Sequence, residues 1–323
     1  MTFRLPLFAL ALLSTQIQAA PPERLVIGAE AGKGLCIVDP GDGNKVLWHH
    51  PLGAVHDLHL LPNGNFLTQD GWPRVIELNL AKEIVWDYDA STTNRSEGDG
   101  KVEIHAFQRL ADGSTLIAES GIGRIIEVAP DRSIRKTFPL SVSKPNPHSD
   151  TRLVRLLDNG HCLVAHEAEE TVKEYDADGQ VVWEFPVPLF GREPAKGHGP
   201  EAFGGRCFAA IRLKNGNTLV STGNGHSLLE VTPDKEIVWK LEQHDLPGIV
   251  LAWVTTVEEL DNGNLRFGNC HAGPENPQIV EVTREKEVVW TFRDFTNFGN
   301  DLANTLVLDG EAAKTLRTKL ATP

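Results

Sequence analysis

One pattern recurs along this chain and leaves few folds open to it. It reads Leu-x-(Asn/Asp)-Gly, a short apolar strand, a strand of Glu-Val character, then Val-Trp. The turn glycines are Gly64, Gly113, Gly160, Gly216 and Gly263, with Gly310 in a partial last copy. Their spacing, roughly fifty residues, lies in the range of propeller repeats. The closing strand appears as Lys45-Val-Leu-Trp48, Glu83-Ile-Val-Trp86, Gln180-Val-Val-Trp183, Glu236-Ile-Val-Trp239 and Glu287-Val-Val-Trp290. A degenerate copy, Ser133-Ile-Arg-Lys136, takes the third place.

The segment from His56 to Asp89 shows how one copy folds. His56 to Leu61 is a first strand, and Pro62-Asn63-Gly64-Asn65 is a tight turn whose glycine supplies positive φ. Phe66 to Gln69 returns, Arg74 to Leu78 is a third strand, and Glu83 to Tyr88 is the fourth. Four short antiparallel strands repeated radially make a propeller blade. The fourth strands count six blades. The first copy begins directly at Arg24-Leu-Val-Ile-Gly28, without a first strand, and Asn304 to Leu308 supplies the missing one. The fold expected is therefore all-β: a six-bladed β-propeller of four-stranded antiparallel blades, closed by a C-terminal strand that completes blade one. Closure of this kind removes a free sheet edge. The tryptophans of the fourth strands are expected to pack between neighbouring blades.

Residues 1–20 carry Arg4, an apolar run from Leu5 to Leu13, and small residues at Ala19 and Ala20. That order describes a secretory signal peptide, with a run too short to span a bilayer. The organisation expected is signal peptide 1–20, propeller 21–310 and a short helix-prone tail 311–323, in an exported protein, periplasmic or secreted. No later segment is long and apolar enough to cross a membrane as a helix. The net charge of −13 disfavours nucleic acid, because phosphate binding needs clustered lysine and arginine. The chain is expected to be a monomer with a small-molecule or carbohydrate-like ligand. Four cysteines, Cys36, Cys162, Cys207 and Cys270, permit disulfides in an exported protein. Strand order puts Cys207 and Cys270 on one face as the expected pair.

Function is sought where the long loops are. Connections between blades, such as 90–101, 139–150 and 186–206, emerge on one face, whereas the opposite turns are short. Eight residues before the turn glycine stand His56, His105 and Arg152; six residues after it stand Asp70, Glu119, His166, Thr222 and Asn269. First strands run away from that face and second strands return, so both sets meet at the channel mouth. His56, His105, Arg152 and Glu119 are the catalytic candidates, and His148, His198 and His226 the ligand-binding ones. Imidazole carries protons near neutral pH and binds divalent metals. One divalent ion, held by His105, His166 and His271, is the cofactor considered. Glu103 and Glu167 join them as supporting carboxylates. A non-catalytic binding or scaffold propeller is the alternative, since channel histidines also serve structure.

The repeat Leu-Pro-Asn-Gly-Asn, Val-Ile-Glu-Leu, Glu-Ile-Val-Trp resembles two groups of exported propellers: the pyrroloquinoline-quinone-like repeat proteins and the bacterial arylsulfotransferase-like propellers. The first resemblance implies a quinone cofactor clamped by neighbouring cysteines. This chain has no adjacent cysteine pair and only six blades, so quinone is not expected. The second implies a channel histidine acting on a sulfuryl group, with His56, His105 and Arg152 as candidates by position. Lyase, hydrolase and sulfotransferase-like chemistry all stay open at this point.

Overall fold

The computed structural model describes residues 23–30, 32–93, 100–143 and 145–321. The signal segment expected over residues 1–20 lies outside them. Six four-stranded antiparallel sheets form a ring of blades. Blade one is ordered Asn304–Asp309, Arg24–Glu30, Gly34–Asp39, Lys45–His50. The closing strand pairs antiparallel with Arg24–Glu30, from Arg24 opposite Asp309 to Ala29 opposite Asn304. Blades two to six then follow the chain without crossover. The degenerate third copy forms a fourth strand like the others, Ile134–Pro139.

The repeated residues have repeated tasks. The third-strand glutamate accepts from the turn asparagines: Glu77 takes Asn63 and Asn65, and Glu230 takes Asn215 and Asn217. The same glutamates reach an arginine of the next blade, as in Arg109 to Glu77 at 2.7 Å and Arg212 to Glu174. The ring closes with the same device, Arg24 of blade one on Glu281 of blade six at 3.3 Å. The fourth-strand tryptophans lie between blades: the indole N–H donates to Leu80 O from Trp48, to Pro233 O from Trp183 and to Arg284 O from Trp239. Apolar cores fill the same seams. One joins Leu67, Val75 and Tyr88 of blade two to Ile104, Phe107 and Ile117 of blade three. The tail is a helix, Gly310–Ala321, whose Ala313 and Leu316 pack on the core of blades one and two.

Two expectations need correction. The first strand of blade two is only His59–Leu60, because the backbone N–H of His56 is taken by the Gln69 side chain instead of a strand ladder. The Cys207–Cys270 pair does not form; all four cysteines are free. Cys207 faces the seam of blades four and five, with Sγ toward the carbonyls of His166 and Thr171. Cys270 belongs to a separate cluster with Trp253 and Ala303. Strand direction places both at one end of the ring but on different seams.

Candidate functional site

On the face where the long loops emerge, a cleft of about 300 Å³ opens between His56, Trp72, His148 and Arg152 on one side and His198, Trp253, His271 and Asp301 on the other. Phe208, Thr255 and Ala303 also line it. Below it the channel is closed by Asp57, which is fully buried and gathers groups from several blades. Asp57 accepts from the backbone N–H of Phe107 in blade three at 3.1 Å and is paired with Arg155 of blade four and with His59. A second, smaller cavity, lined by His59, Arg155, Glu258 and Arg266, lies beyond it.

His105 reaches the cleft wall through an irregularity of its strand. In Glu103–Arg109 the register shifts between Ile104 and Ala106, so His105 is the extra residue of a β-bulge. Bulges re-aim a side chain and recur beside active sites. His105 is fully buried, and its Nδ1 stands 2.5 Å from Nδ1 of His56. Its Nε2 faces the Pro147 carbonyl at 3.1 Å and Oε2 of Glu103 at 3.4 Å. Nδ1 of His148 donates to the same Glu103 oxygen at 2.7 Å, and Lys101 pairs with the other. Trp72 is in ring contact with all three histidines, at 5.0 Å from His56, 5.4 Å from His105 and 5.0 Å from His148.

The hydrogen bonds assign the protons. A carbonyl and a carboxylate can only accept, so Nε2 of His105 carries the hydrogen. In a neutral ring its Nδ1 is then a lone pair, and the hydrogen of the 2.5 Å contact belongs to Nδ1 of His56. His56 is left with an unprotonated Nε2 on the cleft side. Both rings are neutral at physiological pH. Burial, with His105, Arg152 and His148 nearby, pushes His56 well below the ordinary histidine range. Burial and Arg152 bring His105 down to about 4. Glu103 goes the other way: burial alone would raise it, but hydrogen bonds from His105, Lys101 and His148 keep it ionised far into acid.

Arg152 is almost fully buried and forms an ion pair with Glu167, while its Nη1 donates to the carbonyl of His148. Arg206, half-exposed, approaches the other oxygen of Glu167 at 3.5 Å. Two guanidinium groups thus share one carboxylate, which leaves a positive charge on this wall of an acidic protein. Across the cleft His271 holds φ of +59°, a conformation uncommon outside glycine and often tied to function. Its Nδ1 pairs with Asp301 at 2.9 Å, and its ring lies 5.2 Å from that of His198. Burial pushes the His271 ring below its ordinary value despite Asp301.

The sequence candidates therefore divide. His56, His148, Arg152, His198 and His271 line one cleft, with His105 directly behind His56. His166 and His226 are fully buried with both ring nitrogens engaged, His166 by Asp150 O and the Tyr175 hydroxyl, His226 by Ala252 O and Ala202 O. Glu119 is taken by Tyr88 and Arg124. The second-strand register serves the segment that leads into each blade: Asn269 accepts from Ala252 N–H, and Asp70 from Gly53 N–H. His105, His166 and His271 are not neighbours. Among the described residues the group able to share one ion is Glu103, His105 and His148, whose ligand atoms lie within 4.8 Å of one another. Trp72 and Trp253 line the cleft although the repeat marks neither of them. They are the two tryptophans of seven that close no Val-Trp strand, and that departure from the repeat was the available signal.

No family profile and no curated protein matches this sequence. Among solved structures the chain is similar to a protein of unknown function from Bacteroides caccae, with a TM-score of 0.72 and 21% identity over 89% of this chain and 99% of that one. It is also similar to a streptogramin B lyase, at 0.56 and 11% over 90% and 93%. A virginiamycin B lyase from Staphylococcus aureus matches at 0.54 and 12% over 88% and 93%. At these identities the likeness is one of fold alone, that of a β-propeller.

Proposed function

We propose that this protein is an exported enzyme of the lyase type, with His56 as general base toward a small or carbohydrate-like substrate bound in the cleft. The observation that carries this reading is the Nε2 of His56, unprotonated, bordering the cleft and without a hydrogen-bond partner among the described residues. Fixed tautomers backed by a carboxylate are how imidazole is prepared for proton transfer. When Nε2 takes a proton from carbon, the new positive charge is shared through Nδ1 with His105, whose far nitrogen faces the Glu103 carboxylate. The electron pair left on carbon forms the double bond as the neighbouring carbon–oxygen bond breaks. The proton on His56 then leaves with that oxygen. Arg152 and Arg206 favour a substrate whose acidic carbon bears a carboxylate, because positive charge there stabilises the enolate that forms. Streptogramin B lyases use the same fold, which supports the reading by analogy only.

The test is an elimination assay over uronic-acid glycosides and cyclic esters, following the absorbance of the conjugated alkene product. A substrate of the wild-type protein should be inert to His56→Ala, with the melting curve of the variant recorded beside it to show that it is folded. A His56→Ala variant that eliminates at the wild-type rate would end this assignment.

A further inference from the structure

We propose that Glu103, His105 and His148 form a binding site for a divalent cation of the zinc class, and that filling it reverses the polarity of the His56–His105 hydrogen bond. The ligand set is two imidazoles and one carboxylate, which suits borderline transition ions and not calcium or magnesium. Its spacing is suitable. Ligands about 2.1 Å from one ion in a tetrahedral arrangement stand roughly 3.4 Å apart, and Nε2 of His105 lies 3.4 Å from Oε2 of Glu103. Nδ1 of His148 is nearer, at 2.7 Å from that oxygen, as a hydrogen bond requires. His148 belongs to the 139–150 loop and is half-exposed, so it can withdraw by the small distance an ion needs. Glu103 and His105 are buried on a strand and fix the other two corners. Lys101 holds only the second oxygen of Glu103 and is itself well exposed, so it competes weakly.

The second half rests on the tautomers that make His56 a base. An ion at Nε2 of His105 displaces the hydrogen now directed at Pro147. A neutral His105 must then carry its hydrogen on Nδ1 and donate it to Nδ1 of His56. His56 in turn protonates Nε2 and offers the cleft a donor in place of an acceptor. The same two rings would therefore be basic toward substrate without the ion and hydrogen-bond donating with it.

Calorimetric titration of the purified full chain with Zn²⁺, and the visible spectrum of the Co²⁺ form, test the site directly. We expect one ion per chain, with affinity lowered about tenfold or more by Glu103→Gln and by His148→Ala. His148→Ala removes an exposed side chain, so it keeps the test open if the buried Glu103→Gln fails to fold. Absence of saturable binding, or unchanged affinity in folded variants, overturns the site. The ¹⁵N shifts of His56 test the coupling: Zn²⁺ should move the proton from Nδ1 to Nε2, and an unmoved proton with zinc bound overturns it. An Nε2–H on His56 before any metal is added would overturn the general-base reading and the coupling that rests on it, and the zinc isotherm would then test the ion site by itself.

Discussion

The carboxylate of Asp57 and the guanidinium of Arg155 meet in a two-point pair, 2.9 Å from Nη1 to Oδ2 and 3.0 Å from Nη2 to Oδ1. The two residues belong to blades two and four, which are not neighbours in the ring, so the pair bridges the channel. The Asn304 side chain of blade one also donates to the neighbouring His56 carbonyl, at 2.6 Å.

Removing one partner of a buried pair leaves an uncompensated charge and costs about 3–5 kcal/mol. Asp57→Ala should therefore lower stability by about that amount in denaturant unfolding. It should also loosen the base of the cleft. A loss under about 1 kcal/mol would mean the pair is solvated and the channel is open at this level.

Asp57 also gives the protein an acid limit. Burial alone would raise its pKa, but Arg155 and His59 hold it below the unfolded value of about 3.9. The unfolded chain then binds more protons in acid, so this stability is complete above about pH 4 and is lost as pH falls further. Asp57→Asn should flatten the stability curve in that range. A wild-type curve that does not decline below about pH 4 would contradict the assignment.

Ring closure can be tested by truncation. A chain ending at Arg293 lacks Asn304–Asp309 and exposes the whole edge of Arg24–Glu30. It should lose cooperative unfolding, and its exposed edge should promote association, read by calorimetry and light scattering. A truncated chain that melts like the full one is the contrary result.

The Arg206 side chain reaches the cleft from a loop and is half-exposed. Arg206→Gln should weaken binding of an anionic ligand about tenfold, or about 1.4 kcal/mol, with melting temperature little changed. A neutral analogue should bind both proteins alike. Equal loss for both ligands would assign Arg206 to loop structure instead.

Much of the ring was legible because each repeat residue does local work. Glu77 and its equivalents bind the asparagines of their own turn, and the Val-Trp strands donate to a neighbouring loop, so spacing alone carries the information. The cleft was half legible. His56, His105 and Arg152 share a register relative to the turn glycine, and the structure sets them side by side. What the register could not carry is the rotation of each side chain about its strand. Glu119 turns into the seam with Tyr88 of blade two, Asn269 turns onto the backbone that leads into its own blade, and His105 reaches His56 only through a bulge. Trp72 sits in the turn between the second and third strands of blade two, and Trp253 begins the first strand of blade six, so neither stands at a position that the repeat marks.

The strand Asn304–Asp309 also sets an order in time. Blades two to six are each continuous in the chain and can form in the order in which they emerge. Blade one cannot. Its Arg24–Glu30 strand precedes the other five blades in the chain and waits for a partner that follows blade six. An edge of apolar residues, Leu25, Val26 and Ile27, stays open during that interval and is prone to pairing with other chains. Closure of this ring thus waits for the strand that follows blade six, and a chain stalled or clipped before it is left with this apolar strand exposed.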